Sequence, residues 1–312
     1  MKTNKDYTYI DIFAGCGGMS LGLANSGWQG LFAIEKDSMA FETLKFNLID
    51  KRKHFDWPKW LPLKEHDIKE ILKNYKHELK SLRGKVDLVV GGPPCQGFSL
   101  VGRRNEKDHR NKMIDFYIEF ISLVRPRMLF FENVKGFTIG FKKNNSRGEA
   151  YSDYVLNKLY KLGYNVKGKI LDFSEFGIPQ RRKRFILVGI HGGNPELFFE
   201  RVIENKAKFL KQKGILERIT LKEAISDLER KNGENSSVDF SNFKEGVYSD
   251  VRSNYQRLLR INLVKLNPDS HRFPNHNDKT IKKFLFILRN CIKDRNIDNQ
   301  TKLKFNLKKR CV

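Results

Sequence analysis

The chain has 312 residues, 39% of them hydrophobic, which is enough for one sizeable core plus an extension or a small second domain. Its 60 basic and 36 acidic side chains leave a net charge of +24; this excess points to a polyanionic partner through counterion release, although lysine-biased composition over a solvated surface would give the same figure. Four scattered cysteines (Cys16, Cys95, Cys291, Cys311) argue against a disulfide framework or a zinc site, the polar first nine residues are not a signal peptide, and no apolar run is long enough to span a bilayer, so the reading is a soluble cytoplasmic protein with no membrane partner.

Brief apolar runs bounded by Gly, Pro or charge read as buried strands at 9–13, 30–34, 86–90, 128–131 and 185–190. Helical patterns lie between them at 19–25, 39–49, 68–79, 113–124 and 154–162; in 113–124 the apolar Ile114, Tyr117, Ile118 and Ile121 recur at helical spacing. Strand and helix in alternation predict an α/β fold with a doubly wound, mostly parallel sheet over residues 1–193. Beyond Gly193 the pattern changes. Residues 196–213 read as one charged helix, 221–230 as another, 231–254 as an Asn-, Ser- and Asp-rich loop, and 279–292 as helix, so 194–312 is taken as a helical and loop extension. Residues 201–312 hold 26 basic and 13 acidic side chains, net +13, against +11 for the first 200; the doubled charge density fits a segment facing nucleic acid.

Four segments carry chemistry. The first is Asp11-Ile-Phe-Ala-Gly15-Cys-Gly17-Gly18, at the end of the first strand, where glycines let the backbone approach a nucleotide-like ligand. Glu35 follows Gly17 by eighteen residues, at the tip of the next strand, a placement suited to ribose hydroxyls. Neither a strict GxGxxG spacing nor a P-loop lysine is present, which favours an adenosine ligand other than NAD or ATP. The second segment is Gly91-Gly-Pro-Pro-Cys95-Gln96-Gly-Phe-Ser99. Two prolines stiffen the backbone before a cysteine on a polar loop at a strand end, where a nucleophile fits better than a structural thiol. The third, Glu132-Asn133-Val134, puts a carboxylate at another strand end, as a general acid, a base-edge contact, or equally a helix cap or half of an ion pair. In the fourth, Gln180-Arg181-Arg182-Lys183-Arg184, alternation sets Gln180, Arg182 and Arg184 on one face; by itself this is a basic surface patch, and beside a thiol it could hold a phosphate or polarise a carbonyl.

In this order the four segments resemble the cytosine-5 DNA methyltransferase family of the bacterial restriction-modification type, from about Tyr9 to Ile190, with weaker likeness at 220–228 and 253–260. The resemblance implies a Rossmann-like fold that binds S-adenosyl-L-methionine, and double-stranded DNA as substrate. It gives Phe13, Gly15, Gly17 and Pro93 to the cofactor pocket, Glu35 to its ribose and Asp67 to its adenine amino group. It makes Cys95 the nucleophile that attacks a flipped-out cytosine, gives Glu132 a contact with that base, and assigns Arg182 and Arg184 to the base carbonyl and phosphate. Pro94, Gln96, Asn133 and Gln180 shape the loop and substrate side, and Asp108 and Arg110 begin the segment before the 113–124 helix. The family continues with an Arg-rich helix leading to Gln-x-Phe-Pro and a returning Gly-Asn stretch; neither is found before Val312, and Arg272-Phe273-Pro274 only echoes the first. The expectation is therefore an incomplete recognition region, either in a truncated or split chain that a second polypeptide completes or in a degenerate remnant. A non-catalytic module binding cofactor or nucleic acid, and an RNA cytosine-5 methyltransferase, are the alternatives.

Overall fold

The computed structural model describes residues 7–94, 112–140, 142–143, 146–237, 239–261, 268 and 271–290. In chain order the first part runs β1 (Thr8–Ile12), α1 (Gly18–Asn25), β2 (Gln29–Ile34), α2 (Ser38–Leu44), α3 (Ile68–Asn74), α4 (Lys76–Ser81), β3 (Leu88–Gly91), α5 (Met113–Val124), β4 (Met128–Val134), the two-residue β5 (Lys142–Lys143) and β6 (Ser146–Arg147), α6 (Tyr151–Lys161), β7 (Tyr164–Asp172), β8 (Lys183–His191), α7 (Glu196–Glu204) and α8 (Lys206–Lys213). The main sheet has the order β2-β1-β3-β4-β8-β7. The pairs from β2 through β4 are parallel, and β8 runs antiparallel to both β4 and β7. The chain is thus an α/β protein with a mostly parallel, doubly wound sheet, as the alternating pattern predicts.

Alternation along the strands sorts the core. Ile10 and Ile12 of β1 join Phe32, Val89, Leu129 and Phe131 in the cluster beneath α3, α5 and α6. Tyr9 packs on the opposite face with Ala33, Leu88 and Val90. Helix α5 is held by its buried stripe of Met113, Ile114, Tyr117, Phe120, Ile121 and Val124, each large side chain contributing about 1.5–3 kcal/mol by leaving water. The parallel strands of this frame point their carboxyl ends to one edge, where loops carry ligands in such sheets.

Several sequence expectations change. Strand β7 was not foreseen. Residues 68–79 divide into α3 and α4 at Tyr75, whose backbone angles leave the helical track, and residues 196–213 divide into α7 and α8 at Asn205. The division between compact units falls at Ile219/Thr220 rather than 193/194. Phe199 of α7 packs on Ile186 and Val188 of β8, and Leu210 of α8 is buried, so both helices belong with the sheet.

The second unit starts with α9 (Leu221–Ile225), continues through a short antiparallel pair, β9 (Glu234–Ser236) with β10 (Lys244–Gly246), then α10 (Asn254–Leu259) and α11 (Asp278–Asn290). The pair β9 and β10 lies inside the stretch expected to be loop. Thr220 closes a capping box with Glu223 at the start of α9. Ser253 Oγ donates to the Glu223 carbonyl at 2.6 Å, Gln256 Nε2 donates to Ser226 Oγ at 2.9 Å, and Arg260 is ion-paired with the buried Asp227. No described helix is long and apolar enough to cross a membrane.

Candidate active site

The turn after β1 is built from unusual backbone. Phe13, Gly15 and Gly17 have φ of 61°, 55° and 85°, in the left-handed region. Gly17 caps α1, and a Cβ there would lie 2.8 Å from Leu48 Cδ1, so glycine is required by both conformation and space. At Gly15 a Cβ would meet nothing within 4 Å, which leaves open space beside the turn.

Glu35 follows β2 and its carboxylate is fixed by three backbone donors. Gly15 N–H donates to Oε2 at 2.8 Å; Lys36 and Asp37 N–H both donate to Oε1 at 2.9 Å. Such charge-assisted bonds hold the group in one orientation while each oxygen keeps lone pairs for a ligand. The Glu35 carbonyl accepts from His66 N–H at 2.7 Å, which brings the next residue, Asp67, alongside; Asp67 caps α3 through Lys69 N–H at 2.9 Å. Phe13, Glu35, Asp67 and Pro94 line one cavity of about 130 Å³ with Ile34, His66 and Met113. The last three were missed from sequence. Ile34 and His66 each directly precede a predicted residue, and that adjacency was the available signal.

The second cluster lies at the ends of β3, β4 and β8. A Cβ on Gly92 would come within 3.3 Å of Glu132 Oε2, so the carboxylate lies against the backbone that leads to Cys95. The buried Asn133 donates through Nδ2 to the Pro93 carbonyl at 3.3 Å, and its Oδ1 accepts from Val134 N–H at 2.9 Å. Arg184 Nε lies 2.7 Å from Glu132 Oε1 and Arg182 3.9 Å from it. The two arginines therefore share a face, as their alternation predicts, and Arg184 is bound to the carboxylate while Arg182 is the more exposed. Gln180 sits in the turn before β8, exposed, with its backbone N–H on the Ile178 carbonyl. Two cations against one carboxylate leave this cluster positive, suited to an anionic ligand. Cys95, Gln96, Asp108 and Arg110 lie outside the described residues.

Under the glycine turn, Asp11 is completely buried on β1 and accepts from Ser20 Oγ at 2.6 Å. Burial pushes its carboxyl up to about 7, the Ser20 hydrogen bonds pulling against this and the Glu35 charge adding to it. Sequence reading places Asp11 in the motif but gives it no role. Its burial depends on α1 closing over the sheet, which only the assembled fold reveals.

Residues 7–308 match the family described as C-5 cytosine-specific DNA methylase. The Type II methyltransferase M.DdeI of Desulfomicrobium norvegicum is 34% identical over 219 residues, covering 70% of this chain and 48% of that protein. M.AgeI of Thalassovita gelatinovora, also a Type II methyltransferase, is 30% identical over 273 residues, covering 84% of this chain and 59% of that one. A candidate DNA modification methyltransferase encoded within an E. coli prophage superposes with a TM-score of 0.48 at 22% identity, over 79% of this chain and 62% of that one. The chain spans about half the length of the curated relatives it matches, 48% in the first of them. With a family match that runs through nearly all of its length, the chain belongs to the C-5 cytosine-specific DNA methylases.

Proposed function

We propose that this chain carries the chemistry of a DNA cytosine-5 methyltransferase of a restriction-modification system, with S-adenosyl-L-methionine as methyl donor and cytosine in duplex DNA as acceptor. The observation that carries this reading is the convergence on Glu132: Gly92 of the Pro-Pro-Cys loop on one side, Arg182 and Arg184 on the other, with Asn133 bonded to Pro93. The donor-side residues fit the group. The open space at Gly15, the fixed Glu35 carboxylate and the apolar Phe13 and Ile34 suit an adenosine with free ribose hydroxyls, and Asp67 suits its amino group. When bound, S-adenosylmethionine supplies a sulfonium-activated methyl to carbon 5.

The protein's own part is to make carbon 5 a nucleophile. Cys95, presented by the proline-stiffened loop, adds as thiolate to carbon 6, opening the 5,6 double bond and moving charge toward ring nitrogen 3. Glu132 donates a hydrogen bond or its proton to ring nitrogen 3 and so stabilises the developing charge, and Arg184 keeps Glu132 aimed. Arg182, exposed beside them, takes the base carbonyl or the flanking phosphate. Loss of the proton on carbon 5 then expels the thiolate and restores the ring. Because carbon 6 is covered in the stack, the base must be flipped out for Cys95 to reach it.

The test is transfer of tritiated methyl from S-adenosylmethionine to duplex DNA by the full chain. Label at carbon 5 of cytosine is expected, with none in Cys95→Ser while donor binding persists. Transfer by Cys95→Ser at wild-type rate removes the nucleophile assignment; label entering RNA in place of DNA changes the substrate.

A further inference from the structure

Asp11 is a buried acid that the chemistry above leaves unused. It lies opposite Ala33 of β2 and Val90 of β3, fully enclosed. Ser20 donates to it from both its hydroxyl and its backbone N–H, while Oδ1 has no hydrogen-bond partner. Ser20 is itself fully buried in the first turn of α1, and its carbonyl accepts from the Tyr9 hydroxyl at 3.3 Å; the same hydroxyl meets His54 Nε2 at 2.8 Å. Strand β1 therefore grips one helical residue at hydroxyl, amide and carbonyl. Between Asp11 and Ser20 runs the turn with three residues at positive φ; Gly15 and Gly17 adopt it readily, whereas at Phe13 it is strained and persists only when its surroundings over-determine it. Gly15, at the middle of that turn, is the donor to Glu35.

We propose that Asp11 is a positioning residue of the donor site: acting through Ser20, it fixes the first turn of α1 and with it the glycine turn against which the methyl donor rests. This depends on the donor site assigned above. The charges around Asp11 make the role measurable. Glu35 faces it from the end of β2, Tyr9 from β1 and Ser20 from α1; His54 connects through Tyr9, β3 presents Val90, and no described cation pairs with it. The phenol of Tyr9 is pushed above its usual range by burial and stays neutral. A ligand carrying a sulfonium charge relieves the repulsion between Asp11 and Glu35, so it binds better once Asp11 has lost its proton and draws that proton off when it binds in more acidic solution.

The experiment is calorimetric titration of the full chain with S-adenosylmethionine between about pH 6 and pH 8, in buffers of different ionisation enthalpy, for wild type, Asp11→Asn and Ser20→Ala. Wild-type affinity is expected to rise roughly 5-fold across this range with proton release at the acidic end. Asp11→Asn should bind more weakly at the alkaline end, with a flat profile and no proton release. Ser20→Ala should bind more weakly throughout and keep the slope. Wild-type affinity and an unchanged profile in Asp11→Asn overturn the proposal. Should circular dichroism show that variant unfolded, folded Ser20→Ala with wild-type affinity overturns it instead. A wild-type chain that binds no donor at any pH overturns the donor site first and this role with it, so the two failures are told apart.

Discussion

Between β1 and β8 the interior is apolar and aromatic: Phe32, Phe120, Phe131 and Phe137 are fully enclosed among Ile, Leu and Val. Among the described residues from Thr220 onward the enclosed side chains are of another kind. Ser226, Asp227, Ser237 and Gln256 are buried there, with Ala224 beside them, while Leu221, Leu259 and Ile261 are exposed. The first interior gains stability in proportion to the area it hides, and tolerates exchanges that conserve volume. The second depends on matched donors and acceptors, so removing one partner costs far more than replacing both.

Asp11, a fully enclosed acid in the apolar unit, gives the largest expected effect. Its carboxyl is raised from the ordinary carboxylate range to about 7, so between about pH 4 and pH 7 the folded chain keeps a proton that the unfolded chain releases. Stability therefore falls as pH rises through that window and levels off above it, by on the order of 4 kcal/mol. Urea unfolding of wild type and Asp11→Asn across the window should show the slope in the first and its loss in the second; equal slopes would contradict an uncompensated buried acid. In the polar unit, Asp227→Ala should cost about 3 kcal/mol by stranding Arg260, whereas Asp227→Leu with Arg260→Met should stay within about 1 kcal/mol of wild type. Hydrogen exchange over residues 220–261 measures both, and a double variant as damaged as the single one would mean that shape, not pairing, holds this unit. The smallest effect is at the capping box, where Thr220→Ala should cost about 1 kcal/mol and speed amide exchange in α9 alone.

Most of the frame was legible because its strands are short apolar runs closed by Gly, Pro or charge. Strand β7 was not. Its residues, Tyr164–Asp172, alternate Tyr164, Val166 and Ile170 with Asn165, Lys167 and Lys169, and a one-sided strand at the end of a sheet lacks the continuous apolar run of a central one. The helix breaks at Tyr75 and Asn205 carry no Pro or Gly, so nothing local marks them. The candidate site was legible as a cluster of positions wherever polar residues and strand ends coincide, as at Glu35, Glu132 and Arg184. Lengthwise spacing also paired Arg182 with Arg184 correctly. It could not show that Arg184 binds Glu132, that Asn133 holds Pro93, or that Asp11 is sealed from water, since each depends on segments 40 or more residues apart or on a helix folding back.

Strand β7 also bears on how the molecule behaves in a crowded solution. It is an outer strand of the sheet, and two of its lysines, Lys167 and Lys169, share the single carboxylate of Glu196, Lys167 at 2.9 Å. One positive charge is left over along that rim. Another sheet approaching to extend the ladder would bring its own lysines against these and would have to strip water from them, which guards the exposed backbone against self-association into fibrils.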